Sequence, residues 1–225
     1  MLAIMVIAKF WLHLLRNDRN FMKRKIALLL VCMLPEVVFA SENDLKQFIA
    51  LLTQYDNFKA GFVQSTVSND DSTLESVEGE VLIKRPNQFV WLSYPPVEQE
   101  IVSNGKTLWI YDRDLDQVTI QPAESKIQDS PAVILSGDEV QIKRLYDVAL
   151  NNDGVYVLTP VKENSGLSSI QVSFKENVVS ALLFEDSLGQ KTIIELFDTK
   201  TNVVLGGDEF DFVPPEGVDV LEQAE

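Results

Sequence analysis

Cysteine and histidine are almost absent from this chain of 225 residues. It holds one of each, Cys32 and His13, both within the first forty positions. If those positions are removed, what remains has no disulfide, no thiolate or imidazole metal ligand, and no His to activate a Ser or Cys nucleophile. Positive charge is scarce too, with 19 Lys and Arg against 34 Asp and Glu and a net charge of −15. Positions 1–40 contain six basic and two acidic residues, so residues 41–225 carry −19. Neutralisation of DNA, RNA or an anionic bilayer is not expected of such a surface, because counterion release needs clustered Lys and Arg. An acidic surface favours solubility and basic partner patches. After position 40 no apolar run reaches membrane-spanning length.

The first forty residues read as targeting. Lys23, Arg24 and Lys25 form a basic n-region, Ile26 to Leu34 an apolar core, and Val38-Phe39-Ala40 a small-residue cleavage site. Residues 1–40 are therefore expected to be a signal peptide, residues 41–225 a single domain beginning at Ser41, and Met22 the true initiator behind an over-extended start. An uncleaved N-terminal anchor is the competing reading of Met1 to Phe21. Lipidation of Cys32 is not expected, since Val31 rather than a small residue precedes it.

Beyond Ser41 the first element is a helix. Leu45, Phe48, Ile49, Leu51, Leu52 and Tyr55 recur at three- and four-residue spacing behind Ser41 or Asn43 as N-cap. The period then changes to two. Alternation over Phe58–Phe62, Val77–Ile83, Phe89–Tyr94, Val97–Ser103, Lys106–Asp112 and Leu115–Gln121, punctuated by Pro and Asn-Gly turns, predicts an antiparallel meander. It lapses between Pro122 and Asp138, where Pro131–Gly137 reads as a short helical turn. Strands resume over Tyr146–Leu150, Val155–Val161, Ile170–Phe174, Val178–Glu185 and Lys191–Phe197, and a last one is expected at Glu209–Val213. The pattern predicts a mainly β (α+β) fold, a strongly curved sheet or incomplete barrel of ten or eleven strands with helices over its inner face. If both sheet and lid are apolar, a hydrophobic cavity follows.

Candidates for catalysis are weak. Asp70-Asp71, the Asp112, Asp114, Asp116 triplet and Asp208-Glu209-Asp211 could supply the two carboxylates of a glycosidase, but solvated turn charges of an acidic protein explain them as well. The triplet lacks the Gly and the closing Glu of a calcium loop, since Ala123 stands at the twelfth position. No metal, cofactor or enzymatic activity is expected. A Ser–Lys hydrolase, or another acidic hydrolase, remains the different-class alternative.

One segment stands out. Lys84-Arg85-Pro86-Asn87-Gln88-Phe89-Val90-Trp91 sets a guanidinium before a proline turn and two aromatics on one face of the next strand. This run resembles the LolA family of periplasmic lipoprotein carriers. So do Ser103 to Tyr111 with its Asn104-Gly105-Lys106 turn, Phe58, Phe62 and Gln64 as F-x-x-x-F-x-Q, and Phe210-Asp211-Phe212-Val213-Pro214-Pro215-Glu216-Gly217-Val218. The resemblance implies an unclosed antiparallel β-barrel of about eleven strands, with helices forming a lid over a hydrophobic cavity. It implies a monomeric periplasmic carrier in a Gram-negative bacterium, one that takes lipoproteins by their acyl chains from an inner-membrane ABC-type releasing complex and delivers them to an outer-membrane lipoprotein receptor. It implies that Arg85 hydrogen-bonds the lid main chain around Ile134, Leu135 and Ser136. Phe48, Leu52, Phe89, Trp91 and Trp109 are the expected acyl-chain cavity, ordinary core packing being the plain alternative. A half-barrel lipid sensor is the related alternative, disfavoured by the short chain left after Val218. Asp70 to Ser76 and the acidic tail match no family motif.

Overall fold

A computed structural model describes residues 41–68, 72–123, 131–162 and 166–223. Residues 1–40, the expected signal peptide with Met22, Cys32 and His13, and Asp70-Asp71 lie outside the described residues. Helix α1 spans Glu42–Thr53, and Ser41, whose hydroxyl accepts from Asn43 N, is its N-cap. Six strands follow, β1 Asn57–Val67, β2 Thr73–Lys84, β3 Gln88–Ser93, β4 Gln99–Asn104, β5 Thr107–Asp112 and β6 Gln117–Pro122. Two short helices, α2 Pro131–Ser136 and α3 Glu139–Leu145, precede β7 Tyr146–Leu150, β8 Tyr156–Pro160, β9 Leu167–Lys175, β10 Val178–Asp186 and β11 Lys191–Thr201. The last strand, β12, is Asp219–Glu222.

All of these strands form one 12-stranded sheet in the order β12-β6-β5-β4-β3-β2-β1-β11-β10-β9-β8-β7. The first and last strands of that order do not pair, so the mainly β sheet is an unclosed one, as expected. Two meanders meet at β1, which pairs antiparallel with β2 on one side and with β11 on the other. The sequence reading is corrected at one end. Glu209–Val213 is not a strand; the closing strand is β12, and it runs parallel to β6.

Register fixes which side chains share a face, since directly opposed residues point the same way. Ile83, Phe89, Ser103, Leu108 and Gln121 are opposed in turn across β2 to β6, and all five are buried. This inner face continues through Val81 and Trp91 and joins the residues of α1, α2 and α3 in one hydrophobic cluster. Helix α1 lies against β7 and β10, α2 against β2 and α1, and α3 against β7 and α2.

The outer face of β3 to β6 is also apolar, with Val90, Val102, Trp109 and Ile120 opposed across it. The chain leaving β11 crosses this side to reach β12. It is tied at its start by Asn202 N to Asn57 O and Val203 N to Asn57 Oδ1, both 2.8 Å, and at its end by Asp219 N to Asp116 O, 2.9 Å. Between these ties Phe210 is buried, and Phe212 meets Trp109 and Tyr111 with ring centroids 6.4 and 6.0 Å apart. We call this segment the strap.

The free edge of β7 is covered by the start of α1. Ser41 N donates to Val148 O at 3.3 Å, and Asp44 Oδ2 accepts from Leu150 N at 3.2 Å. Two backbone groups that would template another strand are thereby occupied. Among the described residues no helix is long and apolar enough to cross a membrane.

Candidate functional site

Helix α1 carries its apolar residues at helical spacing, so Leu45, Phe48, Ile49 and Leu52 all turn toward the sheet. Phe48 and Leu52 are fully buried. The Phe48 ring sits 5.1 Å from Tyr156 and 6.0 Å from Phe174, centroid to centroid, which sets it over β8 and β9. On the other meander Phe62 and Trp91 stack at 4.4 Å. Gly79 makes that stack possible: a Cβ there would stand 2.5 Å from the Phe62 ring and 2.1 Å from Leu92 O. Phe89 and Trp91 are buried on the same inner face.

Of the five aromatic and aliphatic residues expected to line a cavity, Phe48, Leu52, Phe89 and Trp91 come together in the inner cluster. Trp109 does not. It lies one position along β5 from the buried Leu108, faces the outer side, and packs under Phe212 of the strap.

Arg85 sits where the two apolar bodies meet. The β2–β3 turn brings it beneath the lid, with its own N–H held by Asp56 O at 3.0 Å. Nη1 donates to Tyr55 O at 2.6 Å, just past the end of α1, and Nη2 donates to Leu135 O at 3.2 Å, in α2. One guanidinium thus bridges two helical segments through main-chain carbonyls left over at helix ends. Its plane lies over the Tyr55 ring, Cζ to centroid 4.8 Å. Of the expected lid contacts, Leu135 carries the bond; Ile134 and Ser136 are buried beside it, and Ser136 Oγ accepts from Asp138 N at 3.3 Å.

Burial pulls the Arg85 guanidinium below its ordinary pKa, and the neighbouring Tyr55 and Asp56 act in the opposite direction. A guanidinium stays charged under this pull. Burial likewise pushes the Tyr55 phenol up, partly offset by the positive charge of Arg85. Both residues are therefore fixed in one protonation state, Arg85 cationic and Tyr55 neutral, across ordinary pH.

Sequence reasoning missed two residues here. Tyr55 is more than a face residue of α1, because its carbonyl and its ring both hold Arg85. Gly137 is more than a helix terminator. At φ +68° it tucks against the end of α1, and a Cβ there would lie 2.9 Å from Thr53 Cγ2, 3.2 Å from Leu52 Cβ and 3.4 Å from Arg85 Nε. The positive φ was legible in the Ser136-Gly137 step; the close approach was not.

The adjacent turn is built the same way. Ser103, fully buried, donates its hydroxyl to Asn87 O at 2.9 Å and accepts from Gly105 N at 3.1 Å, while Asn104 Oδ1 accepts from Lys106 N and Thr107 N. The Arg85-Pro86-Asn87 and Ser103-Asn104-Gly105 motifs thus form one braced corner below the lid. The Asp112 carboxylate accepts from Asp114 N and Leu115 N, 3.1 Å each, within the β5–β6 turn. Among the described residues no three His, Cys, Asp or Glu side chains converge on a metal-sized site.

The pattern of the family described as outer membrane lipoprotein carrier protein LolA matches residues 53–213. The chain is 34% identical over 187 residues to the outer-membrane lipoprotein carrier protein of Azotobacter vinelandii, covering 82% of this chain and 90% of that one. It is 32% identical over 206 residues to the protein of the same name in Pseudomonas putida, covering 89% and 100%. Among solved structures it shares its fold with an uncharacterized conserved protein from Thermus thermophilus, at a TM-score of 0.50 and 13% identity over 80% of this chain and 98% of that one.

Proposed function

The chain belongs to the LolA family of outer membrane lipoprotein carrier proteins, and from that membership we propose that it carries lipoproteins through the periplasm by their acyl chains. The cargo comes from an inner-membrane ABC-type releasing complex and goes to an outer-membrane lipoprotein receptor. The protein works as a monomer that binds and releases without catalysing a reaction, and it is made with residues 1–40 as a cleaved signal peptide.

The observation that carries this reading is the Arg85 bridge between Tyr55 O and Leu135 O over an interior built of apolar side chains. A lipoprotein cannot cross water with its chains exposed. At about 0.8 kcal/mol per methylene, one chain of about 15 methylenes costs roughly 12 kcal/mol to leave in water. A carrier must replace the bilayer and still let go. Phe48, Leu52, Phe89 and Trp91 offer the replacement surface once the helices lift from the sheet. Arg85 supplies the means of release, because raising the lid breaks a charge-assisted hydrogen bond to Leu135 O and the loaded state stays poised to close. Direction then comes from graded affinity between successive partners rather than from a bound nucleotide.

Native mass spectrometry of the purified protein after incubation with a diacylated lipopeptide tests the proposal. A stoichiometric lipopeptide complex is expected. A protein that stays free of lipid and instead turns over an ester or glycoside substrate would overturn it.

A further inference from the structure

Among the buried side-chain atoms of the described residues, Arg85 Nε has no hydrogen-bond partner, while the nearby Tyr55 phenol lies beside the guanidinium and the Val179 backbone. The Nε–H and the nearer N–H of Nη2 project side by side from a rigid guanidinium plane, the paired donors that one acceptor group can engage together. Here Leu135 O takes Nη2 at 3.2 Å and nothing takes Nε. Both donors face the lid, since Gly137 is the residue whose added Cβ would stand 3.4 Å from Nε. The lid therefore fills half of a two-donor edge. Lifting it frees the whole edge, while Nη1 on Tyr55 O at 2.6 Å and the Tyr55 ring at 4.8 Å keep the guanidinium in place.

We propose that the Nε/Nη2 edge of Arg85 is a binding subsite for the carbonyl oxygen of an acyl ester or amide, and that this oxygen replaces Leu135 O when cargo enters. The inference rests on the acyl-chain carriage proposed above. A carbonyl is the acceptor that every fatty acyl chain brings with it into apolar surroundings. A phosphate or carboxylate would have to shed its hydration first and approach a chain of net charge −15. The exchange is also balanced: one carbonyl leaves as another arrives, and the orphaned Nε gains the partner it lacks in the closed protein. Entry of the lipid linkage and release of the lid thus become a single event.

The test compares a synthetic diacylated lipopeptide having ester links with its ether-linked counterpart of equal chain length, titrated calorimetrically into the purified protein. The ester form should bind about tenfold tighter, the value of one hydrogen bond to a charged donor. Arg85→Met, which keeps an unbranched apolar stem and removes the donors, should erase that discrimination. Infrared spectra of a lipopeptide carrying a carbon-13 ester carbonyl add a readout on the wild-type protein alone, where a shift of the stretch to lower frequency is expected on binding. Equal binding of ester and ether forms, an unshifted carbonyl, or discrimination that survives Arg85→Met overturns the subsite and leaves carriage standing. Binding of neither lipopeptide overturns carriage, and the subsite with it.

Discussion

Helices roof the apolar inner face of the sheet and the strap roofs the apolar outer side of β3 to β6, yet the two roofs are fastened differently. On the inner face the roof is helical: the start of α1 is tied to β7 through Ser41 and Asp44, whereas α2 is joined to the β2–β3 corner through Arg85, which donates to Leu135 O and Tyr55 O. On the outer face the roof is an extended strap, fastened by ring contacts of Phe212 and by the parallel pairing of β12 with β6. The strap spreads its fastening over several ring contacts and ladder bonds, which must be lost together, whereas the bond from Arg85 to Leu135 O is one hydrogen bond that can be exchanged for another at modest cost. Under the proposed carriage, the helical roof is the one that opens and the strap the one that stays shut.

Breaking the packing under the inner roof should have the largest effect. Phe48→Ala removes a fully buried ring from between Tyr156 and Phe174, and a loss of about 3–5 kcal/mol of stability is expected, read from urea unfolding. A loss below about 1 kcal/mol would show that the helix is already loose on the sheet. Next, a charge on each face sharpens the comparison. Trp91→Glu should block lipid acceptance, because an ionised carboxylate inside the cluster costs several kcal/mol or stays protonated. Trp109→Glu, under the strap, should leave acceptance close to normal. Equal impairment in a loading assay would mean that both faces take part in binding.

Arg85→Leu addresses the fastening itself. It should still accept cargo, with a loss of no more than the roughly tenfold expected of the carbonyl subsite, and hand it over slowly. Closing no longer regains the bond to Leu135 O, worth about 1.5–3 kcal/mol from a charged donor and enough to move the equilibrium by about one to two powers of ten. Lipoprotein loaded first and challenged with purified acceptor second gives the measurement. Handover at the wild-type rate would reduce Arg85 to a turn residue. The smallest effect belongs to the strap: Phe212→Ala should cost about 1 kcal/mol through its contacts with Trp109 and Tyr111 and leave handover unchanged.

The outer roof also explains what could and could not be read from residues alone. Alternation locates β1 to β11 because each has one face on a core. It does not say which face of Leu108-Trp109-Ile110 is which, because the strap buries the outer side as well, and the inward placement expected of Trp109 fails for that reason. Phe210 and Phe212 alternate with acidic residues like a strand, but they pack on a finished sheet instead of joining it. β12 is invisible to pattern: its four residues are all exposed, so only backbone pairing marks it. Helix α3 escapes because Ile142 is its one buried residue. The position of Arg85 before a proline turn is plain, whereas its partners are main-chain atoms, on which side-chain identity is silent. Its bond to the lid is anticipated through family resemblance and not through pattern.

The placement of β1 bears on how the molecule assembles. Its partner β2 follows at once in the chain, but its other partner, β11, arrives almost last, with Phe58 opposite Thr201. A chain delivered N-terminus first can complete β1 to β6 while one edge of β1 still lacks its neighbour. Closing that seam spans most of the sequence, the kind of non-local pairing that slows folding. Meanwhile an unpaired central strand is the most adhesive surface a nascent sheet can offer. A protein whose task is to shield greasy cargo from water must first pass through a stage in which it needs shielding itself.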